Sequence, residues 1–145
     1  MEHDYHTSLG CKLNRCTMLL ATKLEENFYS VGLAVPHDLW RVMIKLWDEP
    51  VLTQTELAER LYKNKSWLTR TLDEMESNGW IERVSHDTDR RINQIRLTPK
   101  ALSMKPLLLE QAEKTVSQAS KGISPEHMRA LFEHLEQIQI NLKES

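Results

Sequence analysis

The 145-residue sequence predicts a mainly α protein interrupted once by a small β-hairpin, and three observations carry that prediction. Apolar residues recur every three or four positions over most of the chain, the repeat of helices with one buried face. Between Trp80 and Thr98 the repeat shortens to two, as in a pair of half-buried strands. Thr, Ser and Pro stand where the long stripes begin, and Gly where they end.

The elements follow in order. From Thr7 the stripe Leu9, Leu13, Cys16, Leu20, Leu24 and Phe28 makes a long amphipathic helix ending near Gly32. After Pro36, the set Leu39, Trp40, Met43, Ile44 and Trp47 gives a second helix, stopped by Pro50. "TQTE" places Thr53 as N-cap with Glu56 three residues on, a capping box. Leu57, Ala58 and Leu61 are the inward face of the short helix that follows. "YKN" reads as a tight turn, and "KSWLTRTLDEMESNG" as a helix over 65–78 closed by Gly79 in the left-handed cap position.

Leu68, Leu72 and Met75 face inward on that helix. "WIERVS" and "NQIRLT" then pair as a two-stranded hairpin with the polar tip "HDTDRRI". Thr98 caps a helix with Pro99 in its first turn, running to Gly122 through Leu102, Leu108, Ala112, Val116 and Ala119. Pro106 is expected to bend it, because proline offers no N–H to the carbonyl of Leu102. Ser124-Pro125 repeats the start, and Met128, Leu131, Leu135, Ile138 and Leu142 form the last stripe.

A short helix, a tight turn and a second helix followed at once by a hairpin is a winged helix-turn-helix. The expected plan is one domain over 1–145. Residues 36–98 are the winged helix-turn-helix with its wing at 80–98, flanked by helices in 7–33 and 98–145.

Charge points the same way once it is divided along the chain. The net formal charge is −2, yet residues 60–100 hold nine Lys/Arg against six Asp/Glu, while the remainder holds ten against fifteen. The cationic segment is the one that contains the wing. No apolar run approaches the roughly 18 residues of a membrane span, and "MEHDYHTSLG" lacks the basic and apolar regions of a secretory signal, so the expected location is cytoplasmic. No glycine-rich phosphate loop and no nucleophile beside a base is present, which argues against an enzyme, and no cofactor is expected.

In a helix-turn-helix the second helix enters the major groove with its early residues toward base edges. With Leu68, Leu72 and Met75 inward, the outward face carries Ser66, Trp67, Arg70 and Thr71, with Lys65 at the entry. Arg70 is the candidate for base readout, since a guanidinium can donate two parallel bonds to guanine. Ser66 and Thr69 suit phosphate oxygens, and Lys65 the salt-dependent, sequence-blind part of affinity. Trp67 either touches a thymine methyl or sugar, or folds back beside the wing. At the wing tip, Arg90 and Arg91 are suited to a narrow minor groove, unless Asp87 and Asp89 hold them in surface ion pairs.

The run "KSWLTRTLDEMESNGWIERVSHDTDRRINQIRLTPKA" resembles the recognition helix and wing of the MarR family of bacterial transcriptional regulators, most closely its SlyA branch. "TRTLDEME", "NGWIER", "DRR" and "LT" carry the likeness. "WRVM", "TQTELAERL" and "GISPEHMRALFEHL" extend it over nearly the whole chain. Ala101 departs from the glycine many members have there, and fits a helix.

The resemblance implies that Asp89 orients Arg91, and that the chain is a homodimer. The first helix and the last two agree, since their apolar stripes exceed what one small winged domain can bury. Two recognition helices would then read an inverted repeat, with repression the expected outcome.

The resemblance also implies a small aromatic or phenolic anion between the dimer helices and the DNA-binding part. Leu13, Thr17, His37, Trp40 and Met43 are the candidates, with Trp40 and Met43 equally readable as plain core. Some relatives carry a reactive N-terminal cysteine, a role that Cys11 or Cys16 could take here. The two lie five residues apart, roughly 140° around a helix, so a bridge within the chain is not expected. Cys16 is expected to bury on the apolar face, and the neighbouring Lys12 and Arg15 to point away from both thiols. Glu2, His3, Asp4 and His6 cluster at the N-terminus, where such runs are usually solvated, and no metal site is read there. A winged-helix module that binds an acidic protein partner through its wing is the rival from another class.

Overall fold

The computed structural model describes residues 8–85, 88–89 and 92–144. Six helices run α1 (Leu9–Ser30), α2 (His37–Asp48), α3 (Gln54–Leu61), α4 (Lys65–Ser77), α5 (Pro99–Ala119) and α6 (Pro125–Lys143), with strands β1 (Leu52–Thr53), β2 (Ile81–Ser85) and β3 (Asn93–Leu97). No helix among the described residues is long and apolar enough to cross a membrane.

The helix starts follow the polar cap residues. Ser8, Thr53, Asn64, Thr98 and Ser124 each accept a bond from a backbone N–H in the first turn of α1, α3, α4, α5 and α6. At Thr53 the capping box is complete: its hydroxyl accepts from Glu56 N, and Glu56 Oε1 accepts from Thr53 N. The exception is α2, which opens on Pro36 with no side-chain cap of its own. Glu25 of α1 supplies one from a distance, its carboxylate accepting the His37 N–H at 2.7 Å.

The sheet departs from the expected two-stranded hairpin. It has three antiparallel strands in the order β1-β3-β2, with Leu52 opposite Ile95 and Arg83 opposite Ile95 on the other side. The two-residue β1 lies directly before α3, so β3 is paired on both flanks and the wing is rooted in the helix-turn-helix.

The core is where these elements meet. Phe28, Leu39, Val42, Met43, Leu46, Leu57, Leu68, Leu72, Met75, Ile95 and Leu108 are almost fully buried together. Trp40 packs between Phe28 and Trp47, with ring centroids 5.2 and 5.4 Å apart. A separate polar contact joins α1 to α5: buried Asn27 donates to Thr115 Oγ1 at 2.8 Å and to Gln118 Oε1 at 2.9 Å.

Outside this core the flanking helices have little to pack on. Helix α6 has no buried residue, with Phe132 60% and Leu142 72% exposed. On α1 burial is confined to Leu24, Asn27 and Phe28, while Met18 and Leu19 are more than 60% exposed.

Helix α4 passes to β2 through Gly79 at φ +75°. Its N–H donates to the Glu76 carbonyl and that of Trp80 to the Met75 carbonyl, the bond pair of a Schellman turn. A Cβ at Gly79 would meet only the Lys100 side chain at 3.8 Å, an ordinary contact. The cost of a side chain here is therefore backbone strain. Gly79→Ala is expected to lower unfolding free energy by about 1–2 kcal/mol, read by urea titration, and an unchanged midpoint would show the turn to be unstrained.

Candidate functional site

The helix-turn-helix is α3, the turn Tyr62–Lys63–Asn64, and α4. Tyr62 adopts φ +54° and is the one non-glycine residue with positive φ among those described. This left-handed step ends α3 and lets Asn64 cap α4 by accepting from Trp67 N at 2.8 Å.

The expected outward face of α4 forms with one correction. Lys65, Ser66, Thr69 and Arg70 are exposed. Thr71 is not: it is 6% exposed, and its hydroxyl donates back to the Trp67 carbonyl at 2.9 Å. The buried stripe is Leu68, Thr71, Leu72 and Met75, and Thr71 lies between its apolar neighbours at helical spacing.

Trp67 is half-buried against the core. The Arg41 guanidinium stands 5.8 Å from its ring centroid and the Lys63 ammonium 5.3 Å. Thr69 is met by a residue sequence reasoning missed: Gln54, at the start of α3, donates Nε2 to Thr69 Oγ1 at 3.0 Å. The capping box that puts Gln54 in the first turn of α3 was the available signal.

Charge on this surface is partitioned. Arg83 on β2 is held by Asp73 at 2.8 Å and Glu76 at 3.0 Å. Arg96 pairs across the sheet with Glu82 at 2.9 Å, and Arg60 with Glu49 at 2.8 Å, a bond that lowers the Glu49 pKa. By contrast, among the described residues Arg70 bonds only the Ser66 carbonyl, at 3.3 Å, and no carboxylate pairs with Arg70, Lys65, Lys63 or Arg41. Cationic groups left without counter-charge on one surface are suited to a polyanion.

Of the wing tip, Asp89 is half-buried and its carbonyl accepts from Ile92 N at 3.1 Å. The expected contacts Arg90 and Arg91, with Asp87, lie outside the described residues, as do Glu2, His3, Asp4 and His6. Among the described residues no group of three His, Cys, Asp or Glu is placed to hold a metal.

The five expected ligand residues do not converge within one chain. Trp40 and Met43 are buried core. Leu13 and Thr17 are exposed on α1, and the Thr17 hydroxyl donates to the Leu13 carbonyl at 2.9 Å. Leu13 precedes Phe28, the neighbour of Trp40, by fifteen residues, about 22 Å along a helix. The cysteines also differ from expectation. Both are exposed, because the stripe that carries Cys16 has no partner there. Cys11, Lys12, Arg15 and Cys16 line one shallow groove with Leu19, so the cations share the face of the thiols rather than pointing away from it. Positions 11 and 15, like 12 and 16, are neighbours four apart on a helix.

His37 is half-buried at the junction of α1 and α2. Burial lowers its pKa from 6.5 and nearby Arg41 lowers it further, against Asp38 and Glu25, which raise it. The unfolded chain then binds the proton more readily, so this contribution is intact above about pH 6.5 and is lost as pH falls below it. His37→Gln is expected to flatten the fall in melting temperature between about pH 7 and 5; an identical fall in the variant would acquit His37.

Comparison with known proteins places this geometry. Residues 36–92 match the model of the MarR family. A mutant MarR from E. coli, solved in complex with operator DNA, superposes with a TM-score of 0.83 at 19% identity, covering 93% of this chain and 98% of that one. Bordetella bronchiseptica BpsR, whose DNA binding is described as regulated by 6-hydroxynicotinic acid, gives 0.82 at 14% identity, covering 96% and 98%. Overoxidized AbfR bound to DNA gives 0.70 at 23% identity, covering 92% and 91%. At these identities the structural likeness shows the fold.

Proposed function

We propose that this chain, whose residues 36–92 form a MarR-family winged helix-turn-helix, works as a DNA-binding transcriptional regulator and not as an enzyme. The observation that carries the reading is the exposed face of α4, where Lys65, Ser66, Thr69 and Arg70 stand together without carboxylate partners among the described residues, while Arg60, Arg83 and Arg96 are paired. In this reading α4 enters the major groove, Arg70 meets a base edge and Lys65 and Ser66 meet phosphates. Thr69 joins them through a hydroxyl already oriented by Gln54. Asp89, Arg90 and Arg91 of the wing serve the adjacent minor groove.

The unit that binds is a homodimer. Fixing a residue costs about 1–2 kcal/mol of backbone entropy, and none of the nineteen residues of α6 is more than half-buried within the chain to offset it. The exposed stripes of α1, α5 and α6 supply the missing burial against a second copy. Two copies present two α4 helices to an inverted repeat, and repression by occupancy is the simplest outcome.

Modulation by a small aromatic acid is supported by the chemistry named for BpsR. Its site would need side chains from both copies, since one chain does not gather the expected residues. Cys11 is exposed and lies off the apolar stripe of α1, which favours a second mode, oxidation, in keeping with the overoxidized form described for AbfR.

Affinity for a random duplex is expected to fall by orders of magnitude between about 50 and 200 mM salt. A flat salt response would favour an acidic protein partner instead. Arg70→Ala should relax preference at one base position per half-site, by about 1–3 kcal/mol, measured by selection from random duplexes; a uniform loss across sequences would make it a phosphate contact. Arg91→Ala should weaken binding without altering the sedimentation of the dimer, and unchanged affinity would remove the wing from the interface.

A further inference from the structure

We infer that Trp67 is the platform of a two-cation phosphate clamp made by Arg41 and Lys63, an inference that rests on the DNA-binding reading above. The two cations come from different elements, α2 and the α3–α4 turn, yet both lie within 6 Å of one indole ring. Indole faces attract cations through their quadrupole, and Trp is the strongest such partner among the side chains. The ring packs on the core, and the backbone beneath it is held by the Asn64 side chain, which accepts from the Trp67 backbone N–H.

Each cation has a second restraint. Arg41 donates Nη2 to the Leu61 carbonyl at 3.3 Å, tying α2 to the last turn of α3. Lys63 follows the left-handed Tyr62, whose backbone sets the direction of the turn. Neither is neutralised by a carboxylate among the described residues. Groups held in place before binding lose less rotamer freedom when an anion arrives.

The partner that fits is a backbone phosphodiester. Trp67 lies three residues before Arg70, so the clamp adjoins the face that meets bases. A ring already engaged by two cations is poorly placed to cover a thymine methyl. The clamp therefore contributes affinity and register without sequence preference.

The test measures duplex binding of the full chain against salt, on random and on selected sequences. Lys63→Gln removes an exposed charge and is expected to lower the slope of log affinity against log salt by about 0.9 for each bound copy, with base preference unchanged. Trp67→Phe, which keeps a ring face, should stay near wild type, whereas Trp67→Leu should lose at least as much slope as Lys63→Gln. A wild-type slope in Lys63→Gln overturns the clamp, and so does a Trp67→Leu protein with altered base preference and an intact slope. Wild-type affinity that ignores salt overturns the DNA-binding reading itself, which separates the two failures.

Discussion

The left-handed turn at Gly79 is the constraint on which the arrangement of this molecule depends. It ends α4, and after buried Trp80 the strand β2 begins at buried Ile81. The Gly79 carbonyl accepts from Thr98 Oγ1 at 2.6 Å, and the same hydroxyl accepts the Ala101 N–H that starts α5. Lys100 Nζ closes the corner by donating to the Asn78 carbonyl at 2.9 Å. One backbone conformation thus fixes the angle between α4 and the β2–β3 hairpin, and sets where α5 leaves. In the proposed complex, where the surface meets two grooves of one duplex, an angle set before binding leaves less freedom to lose on association.

Rigid geometry alone does not select a partner; the distribution of counter-charge does. Arg83, Arg96 and Arg60 have positive charge that their carboxylates largely cancel, so they act as struts between α4, the strands and the end of α2. Exposed pairs of this kind contribute little stability. Around α4 they leave Lys63, Lys65, Arg70 and Arg41 as cations with no carboxylate partner among the described residues. This explains how a chain of net −2 can present a cationic surface.

Most of this organisation was legible in the sequence because it rests on local rules. Caps at Thr53, Thr98 and Ser124, the glycine stop at position 79 and the change of period at Trp80 each depend on a few neighbouring residues. What escaped depends on distant ones. Strand β1 is two residues long and exists only because Leu52 finds Ile95 across the sheet. Thr71 is buried where an outward position is expected, and its spacing from Leu68 and Met75 is that of the inward stripe. Trp67 could not be placed without Arg41, which lies twenty-six positions earlier. Cys16 lies on a true apolar stripe, but that part of α1 meets nothing within its own chain.

The same helix α1 is what can connect the flanking helices to the reading head. Glu25 reaches the first N–H of α2, where a proline start left the helix without a cap, and Asn27, half a turn further along, is locked into α5 through Thr115 and Gln118. Buried polar contacts are directional: an apolar interface could slide by a fraction of an ångström at little cost, whereas these bonds fail beyond a narrow range of distance and angle. A displacement of α1 against α5 breaks the buried Asn27–Thr115 bond, and one of α1 against α2 breaks the bond from His37 N to Glu25. Since Arg41 on α2 is bound to the end of α3 and lies against Trp67, movement that begins in the flanking helices has a continuous path of specific contacts to the first turn of α4.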